Sequence, residues 1–366
     1  MFSHLIGNSQ AKKYLERMVL NQTMGNSLLF AGPEGVGKSL FAEAFAKSLV
    51  CLDDPDNTHR RKVEMGNHPD IRSYYPEGKI GMHSIASMRE FNEEVFQSPF
   101  EAKWKVFIIH EADRMLSYSA NALLKTFEEP LSNTVIILVS SSPASLLPTI
   151  LSRCRTVHFH PVGEEEIAAF LAQKYGKNIE EVSLYASMAQ GSIGRAMHLL
   201  NEGSNPLRTF LLDALAKGKV STYKELTGIA STIADYVEKT KKKIEVEVHQ
   251  TLSDHSGERL SAAQKQSIEK EVEGAVSTYA MHEAKTIFTL ILAWYRDLQL
   301  LKTNGNPKLL LNPDYIEKYA VVLKEERICS LNLAQEAIAD SRTSLERSTS
   351  LQICLENLFL KLNMLS

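Results

Sequence analysis

The segment 32–39 constrains the chain most, because it reads GPEGVGKS and matches the pattern G-x-x-x-x-G-K-[ST] at every fixed position. Glycines in such a loop let backbone N–H groups turn toward phosphate oxygens, the lysine reaches the β- and γ-phosphates, and the hydroxyl can hold Mg²⁺. A short apolar run precedes the segment and a helix-like stretch follows it, which is the context that a phosphate-binding loop requires. The predicted nucleotide-binding residues of the loop are Gly32, Gly35, Gly37, Lys38 and Ser39.

The composition indicates a globular chain of more than one domain. Its 366 residues are 44% hydrophobic and 23% charged, and no apolar run approaches the roughly 18 residues that span a membrane. The first residues show no secretion signal, so we expect a cytoplasmic protein. The cysteines form no C-x-x-C pair, which indicates reduced thiols. Because the net charge is only -3, any contact with DNA must come from a local patch or from partner chains.

The order of apolar and amphipathic segments predicts an α/β domain followed by an all-α region. Three apolar runs separated by helical stretches are typical of a parallel sheet covered on both faces. They lie at 28–31, 106–109 and 135–139. After Pro161 the strand pattern fades, and from Pro206 nearly all of the chain has helical periodicity. The predicted domains are a nucleotide-binding α/β domain over 1–160 and helical domains over 161–206 and 207–366.

A second strand is expected to end beside the phosphate site. The run 106–109 is followed by His110 and Glu111, where a hydrolysing ATPase has an acid that organises Mg²⁺ and a glutamate that polarises the attacking water. Neutral imidazole is a poor ligand for Mg²⁺, which prefers oxygen. We therefore expect a weakened metal site, with Glu111 as the candidate catalytic base and with nucleotide binding that can persist without turnover.

Two further polar residues follow apolar runs. Ser141 comes after the run 135–139 and is a candidate contact for the γ-phosphate, although serine is also a common turn residue. Arg153 stands between apolar residues, and an arginine so placed can stabilise phosphoryl-transfer charge in its own site or in a neighbour's. Without further context, a surface ion pair is the more common role for such an arginine.

These motifs in this order resemble the clamp-loader branch of the AAA+ ATPases. The segments NALLKTFEEP at 121–130 and LSRC at 151–154 are similar to the family signatures N-A-L-L-K-x-L-E-E-P and S-R-C. The resemblance is strong over the first two predicted domains and weak over the third. It implies an AAA+ P-loop domain, a small helical lid and a helical collar for oligomerisation. The implied machine opens a ring-shaped sliding clamp and places it on primed DNA during replication.

Within that family the chain is most similar to a non-motor subunit, since position 110 lacks an acid and Gly194 stands where the motor has a sensing arginine. The resemblance implies that Arg153 is a catalytic finger acting in trans, in the ATP site of an adjacent subunit. The implied partners are gamma/tau-like motor subunits, a delta-like subunit and primer-template DNA, with no membrane. ATP and Mg²⁺ are the implied ligands, with Mg²⁺ held through Ser39 if ATP binds.

One departure from the family concerns zinc. Many relatives have a set of zinc-binding cysteines soon after the phosphate-loop helix, whereas only Cys51 remains here, with His59 and His68 nearby. Structural zinc usually takes four closely spaced ligands, so zinc is not expected. Both histidines are predicted to be surface residues in a loop.

Two alternatives stay open. Lys38, Ser39 and Glu111 are compatible with an ATP-hydrolysing motor subunit, which His110 and Gly194 oppose. Another class of phosphate-loop enzyme, such as a nucleoside monophosphate kinase, would need an acceptor pocket and a mobile arginine-rich lid. A kinase of this kind would not account for the family-like segments 121–130 and 151–154.

Overall fold

A parallel sheet organises the first part of the chain. Its strands are β1 (Ser27–Ala31), β2 (Ile71–Tyr74), β3 (Lys105–Ile109), β4 (Thr134–Ser140) and β5 (Arg155–His158). The computed structural model describes all residues except 22–24, 78–80, 117–119, 121–122, 129–130, 202–205, 255–261, 325–328, 348 and 366. Within the described residues the sheet order is β2-β3-β4-β1-β5, and every adjacent pair is parallel. The strand before the phosphate loop therefore lies inside the sheet.

Helices cover both faces of this sheet. They are α1 (Ser9–Leu20), α2 (Lys38–Val50), α3 (Thr58–Glu64), α4 (Ile85–Glu94), α5 (Leu124–Glu128) and α6 (Pro148–Leu151), with 3₁₀ turns at Ala112–Arg114 and Pro143–Ser145. Alternate residues of β1 enter different cores, since Leu28 and Phe30 pack in one cluster while Leu29 and Ala31 pack in another. Burial on both faces explains why β1, β3 and β4 are apolar along almost their whole length.

The α/β architecture predicted from the sequence is confirmed, and the three apolar runs are the inner strands β1, β3 and β4. The strands β2 and β5 were not predicted. Both are edge strands with exposed or half-buried residues at most positions, so neither shows the continuous apolar run of a buried strand.

Three more helices complete this part of the chain, which forms one unit of contacts over 1–201. They are α7 (Glu164–Tyr175), α8 (Ile179–Met188) and α9 (Ile193–Asn201). They have a small core of their own, in which Ile167, Leu171 and Val182 are fully buried. The chain is thus helical after Pro161, where the strand pattern of the sequence fades.

The second unit, 202–366, is all-helical in its described residues, as the sequence predicts. Its helices are α10 (Pro206–Ala216), α11 (Tyr223–Asp254), α12 (Ala262–Lys302), α13 (Ile316–Val322), α14 (Leu331–Glu346) and α15 (Leu351–Lys361). Leucines and aromatic residues at helical spacing form its core, which includes Phe288, Trp294 and Phe359. Among the described residues, none of the helices has the combination of length and apolarity needed to cross a bilayer.

Candidate functional site

The phosphate loop joins the end of β1 to the start of α2 and depends on glycine geometry. Gly35 and Gly37 have φ angles of +76° and +94°, a backbone region that residues with a side chain rarely adopt. Helix α2 begins at Lys38, directly after this turn. The loop therefore brings backbone N–H groups and a helix N-terminus to one edge of the sheet, the arrangement that holds phosphate groups.

The side chain of Lys38 is folded back onto its own loop. Its Nζ donates to the carbonyl oxygens of Gly32 at 2.7 Å and Pro33 at 2.6 Å. Desolvation by burial lowers the pKa of Lys38 to about 8, although the negative charges of Glu34 and Asp113 partly oppose that shift. The ammonium group is therefore held inside the loop by two backbone carbonyl oxygens.

His110 occupies the position directly after β3 and reaches the phosphate loop. Its Nδ1 lies 3.3 Å from Oγ of Ser39, and its ring stacks on Tyr75 with centroids 4.3 Å apart and planes 4° from parallel. Desolvation by burial, with a smaller effect from the nearby His83, lowers the pKa of His110 to about 4. Its Nε2 has no hydrogen-bond partner among the described residues. The imidazole is therefore neutral at pH 7.

This geometry fits a phosphate group better than it fits Mg²⁺. The backbone N–H groups of the glycine turn and the ammonium group of Lys38 can donate hydrogen bonds to phosphate oxygens. The hydroxyl of Ser39 offers one oxygen to a metal ion. The residue beside Ser39 offers a neutral nitrogen instead of a carboxylate oxygen. The position directly after β3 thus lacks the carboxylate oxygen that would support Mg²⁺ beside Ser39.

Glu111, the candidate base, is held in a specific conformation by the turn after β3. Its backbone is left-handed, with φ of +46°, and its carboxylate pairs with Nε of Arg114 at 2.8 Å. The side chain is 37% exposed, so the pair is accessible to water. The carboxylate of the candidate base is therefore engaged by Arg114 in this structure.

Asp113 connects the ends of β3 and β4. Its Oδ1 accepts hydrogen bonds from the hydroxyl of Ser140 at 2.7 Å and from the backbone N–H of Ser141 at 3.2 Å. Ser141 itself is exposed, at the same sheet edge as the phosphate loop, because Ala31 of β1 pairs with Ser140 of β4. This acid therefore fixes the backbone that presents the predicted γ-phosphate contact.

The start of α9 packs directly on the phosphate loop. The N–H of Gly194 donates to the carbonyl oxygen of Gly35 at 3.2 Å. A Cβ atom added to Gly35 would lie 2.0 Å from Oγ of Ser192, and that oxygen accepts the N–H of Arg195. The absence of a side chain at Gly35 permits this close approach, whereas a Cβ on Gly194 would make only ordinary contacts with Gly35.

Arg153, the candidate finger, lies in the turn between α6 and β5. It is held by its own segment and by Glu128, not by the phosphate loop. Its Nε donates to Oε1 of Glu128 at 2.7 Å, and its Nη1 donates to the carbonyl oxygen of Thr149 at 2.7 Å. The side chain is 30% exposed, and Glu128 is 46% exposed. The family-like segments 121–130 and 151–154 are therefore joined by an ion pair, although residues 121–122 and 129–130 lie outside the described residues.

The histidines near Cys51 differ from the prediction. His59 lies in α3, and His68 is buried, so the prediction that both are surface loop residues is wrong. They come together with Glu101 in one cluster. The backbone N–H of Asp70 donates to Nδ1 of His68, which places the ring proton on Nε2, 2.9 Å from Nδ1 of His59. A protonated Nε2 donates to His59 and does not ligate, so with this tautomer the three residues form a hydrogen-bonded network, although one ligand atom from each lies within 4.8 Å of the other two.

Sequence reasoning missed several residues of this site: Tyr75, His83, Asp113, Glu128 and Ser192. Asp113 follows a predicted strand end by four residues, and Glu128 lies inside the family-like segment 121–130, so an acidic side chain at such a place is an available signal. The other three residues come from distant parts of the chain. Nothing in the local pattern distinguishes them from ordinary loop and turn residues.

Residues 7–163 match the family model described as DNA polymerase III, delta subunit. The Bacillus subtilis DNA polymerase III subunit delta' is 35% identical over 160 residues, which are 42% of this chain and 48% of that protein. The Bacillus subtilis DNA polymerase III subunit tau is 31% identical over 213 residues, which are 55% of this chain and 37% of that protein. The chain thus spans less than half the length of these curated relatives.

A solved structure also aligns with the chain. It is a DNA polymerase III gamma-subunit-related protein from Thermotoga maritima, with 18% identity, a TM-score of 0.38 and coverage of 94% of this chain and 99% of that one. At that TM-score it adds nothing to the fold described above. The family model and the delta' relative confirm that the part of this chain with the phosphate loop and the strand ends resembles the delta' subunit of DNA polymerase III.

Proposed function

We propose that this chain is a delta'-type, non-motor subunit of a DNA polymerase III clamp loader. In this role it works in the cytoplasm, helps to place the sliding clamp on primed DNA, and supplies Arg153 to the ATP site of a neighbouring subunit. The observation that carries the proposal is the neutral His110 beside Ser39, inside a domain that resembles the delta' subunit. An imidazole at this point leaves a phosphate loop that binds without efficient turnover.

The chain's own nucleotide site is assigned to ATP, with Mg²⁺ held weakly. Gly32, Gly35 and Gly37 would shape the loop around the phosphates, and Lys38 would leave its two carbonyl partners for the β- and γ-phosphates. Ser39 would hold Mg²⁺, and Ser141 would face the γ-phosphate. Mg²⁺ would neutralise phosphate charge, but the imidazole of His110 gives it little support.

Arg153 is assigned to a different site, in the adjacent subunit. A guanidinium has a planar fork of N–H groups that matches phosphate oxygens and stabilises the charge that develops during phosphoryl transfer. Arg153 is partly exposed, and its hydrogen bonds go to Glu128 and to its own turn, which leaves it available to act in trans. The helical second unit is assigned to assembly with gamma/tau-like motors and a delta-like subunit around primer-template DNA.

A motor subunit is the second candidate, because Lys38, Ser39 and Glu111 are all present. The tau relative matches a longer stretch of this chain than the delta' relative does. Against this reading, Glu111 is paired with Arg114, and Gly194 of α9, at the position of the motor's sensing arginine, contacts the phosphate loop through its backbone N–H.

Reconstitution tests the proposal. This chain is mixed with gamma/tau-like and delta-like subunits from the same organism, and clamp loading on primed DNA is measured with the chain present and omitted. We expect a stable assembly and loading that requires this chain. Failure to enter the assembly, or loading that is unchanged when the chain is omitted, would refute the proposal.

A further inference from the structure

The guanidinium of Arg153 is engaged by its own chain on every nitrogen. Nε donates to Oε1 of Glu128 at 2.7 Å, and Nη2 donates to the same oxygen. Nη1 donates to the carbonyl oxygen of Thr149 at 2.7 Å and lies 3.4 Å from Oγ of Ser152. A bidentate grip on a phosphate needs N–H groups from two nitrogens. A phosphate that binds the Nε–Nη2 edge of the guanidinium must therefore displace Glu128.

Glu128 is held on the Nε–Nη2 edge by a partly exposed ion pair. Both side chains of the pair are partly exposed, at 30% for Arg153 and 46% for Glu128, and such pairs are weak because water screens them. The carbonyl of Thr149, in contrast, belongs to the backbone of α6. Glu128 also offers a single oxygen to the fork, whereas a phosphate carries more negative charge and presents two oxygens.

The exchange needs side-chain rotation only. The backbone N–H groups of Arg153 and Cys154 both donate to the carbonyl oxygen of Ile150, whose side chain is fully buried. On the other side of the pair, Glu128 follows the buried Phe127 at the end of α5. The backbone is therefore held on both sides of the pair. Only the side chains of Arg153 and Glu128 have to rotate for the ion pair to separate.

We propose that Glu128 is a positioning residue that holds Arg153 in a resting state and competes with the neighbouring subunit's phosphate for it. This inference rests on the proposed function of Arg153. In the free chain the carboxylate neutralises the guanidinium and keeps it on its own surface. In the assembly the more highly charged phosphate displaces Glu128 from the guanidinium. The strength of the ion pair between Arg153 and Glu128 therefore determines how readily Arg153 binds the neighbouring subunit's phosphate.

The test uses the reconstituted assembly and measures kcat/KM for ATP hydrolysis. The part of the turnover that Arg153→Ala removes defines the finger-dependent activity. Glu128→Gln keeps the size of the side chain but removes its charge, and we expect it to raise that activity about two- to fivefold, the equivalent of losing one exposed ion pair. Added salt should shrink the difference, because screening weakens the pair in the unmodified chain. In the Arg153→Ala background, Glu128→Gln should have no effect.

Glu64→Gln is the matched control, because Glu64 forms a similarly exposed pair with Lys47 at 2.8 Å, away from Arg153. It should leave the turnover unchanged. Finger-dependent activity that stays the same or falls in Glu128→Gln would overturn this inference while leaving the role of Arg153 intact. Turnover unchanged in Arg153→Ala would instead remove the proposed role of Arg153 itself, and the two failures are thereby distinguished.

Discussion

The hydroxyl oxygen of Ser39 lies 3.3 Å from Nδ1 of His110. The hydroxyl group that a phosphate loop offers to Mg²⁺ therefore has an imidazole beside it. Burial holds the pKa of that imidazole near 4, and Tyr75 stacks on its face. The ring stays neutral and fixed at pH 7. The site therefore retains its phosphate-binding groups while its metal position is altered.

Nucleotide binding should depend little on Mg²⁺. Because the end of β3 offers nitrogen in place of a carboxylate oxygen, we expect ATP affinity measured by calorimetry to agree within about threefold in Mg²⁺ and in EDTA. His110→Asp supplies a negatively charged carboxylate and should make binding Mg²⁺-dependent, while the uncharged amide of His110→Asn should not. A strong requirement for Mg²⁺ in the unmodified chain would contradict this reading of His110.

Nucleotide affinity should fall as the pH rises through 8. The pKa of Lys38 is lowered to about 8 by burial in the free chain, so the lysine must take up a proton to pair with phosphate above that pH. Affinity should be constant below pH 7 and about tenfold weaker at pH 9 than at pH 7. Lys38→Arg stays charged throughout this range and should remove the pH dependence. Equal affinities at pH 7 and pH 9 in the unmodified chain would show that Lys38 does not titrate there.

Gly35 should tolerate a side chain less well than Gly66 does. Both have left-handed backbones, at φ +76° and +72°, but a Cβ at Gly66 has nothing within 4 Å, whereas one at Gly35 meets Ser192. Gly66→Ala should lower the free energy of unfolding by about 1 kcal/mol through strain alone. Gly35→Ala adds a clash with α9 and should lower it by roughly a further 1–3 kcal/mol. Chemical denaturation of the two variants gives the comparison, and equal losses would show that α9 does not pack on the loop in solution.

Asp297 should be a main determinant of the stability of the helical unit. The side chain is fully buried and accepts hydrogen bonds from the backbone N–H groups of Leu311 and Asn312 and from the hydroxyl of Tyr319. Asp297→Ala leaves these donors unpaired and should lower the free energy of unfolding by about 2–4 kcal/mol. Asp340→Ala, which breaks only an exposed pair with Lys361, should cost less than about 0.5 kcal/mol. Similar losses in both variants would contradict the assigned network.

The sequence predicts those features that depend on local pattern. The glycines of the segment 32–39 specify the turn of the phosphate loop. The strands β1, β3 and β4 are recognisable as apolar runs because both faces of the sheet are covered. The exposed edge strands β2 and β5 lack that signal. Likewise, the burial of His68 depends on contacts with Glu101 and Asp70, which no local pattern reveals.

The relationships that define the candidate site join distant parts of the chain. His110 meets Ser39 across 71 positions, and Arg153 meets Glu128 across 25. The contact between Gly35 and Gly194 depends on how α9 packs on the loop. Each residue type has an ordinary surface or turn role on its own. Their juxtaposition follows from strand order and helix packing, so a single sequence predicts the residues better than it predicts their partners.

The most direct test of the non-motor assignment compares two variants of this chain in the reconstituted assembly. Lys38→Ala disables its own nucleotide site, and Arg153→Ala disables the group offered to the neighbour. We predict that phosphate release during clamp loading falls in Arg153→Ala and is unchanged in Lys38→Ala. A loss of phosphate release in Lys38→Ala with none in Arg153→Ala would show instead that this chain is a motor that hydrolyses its own ATP.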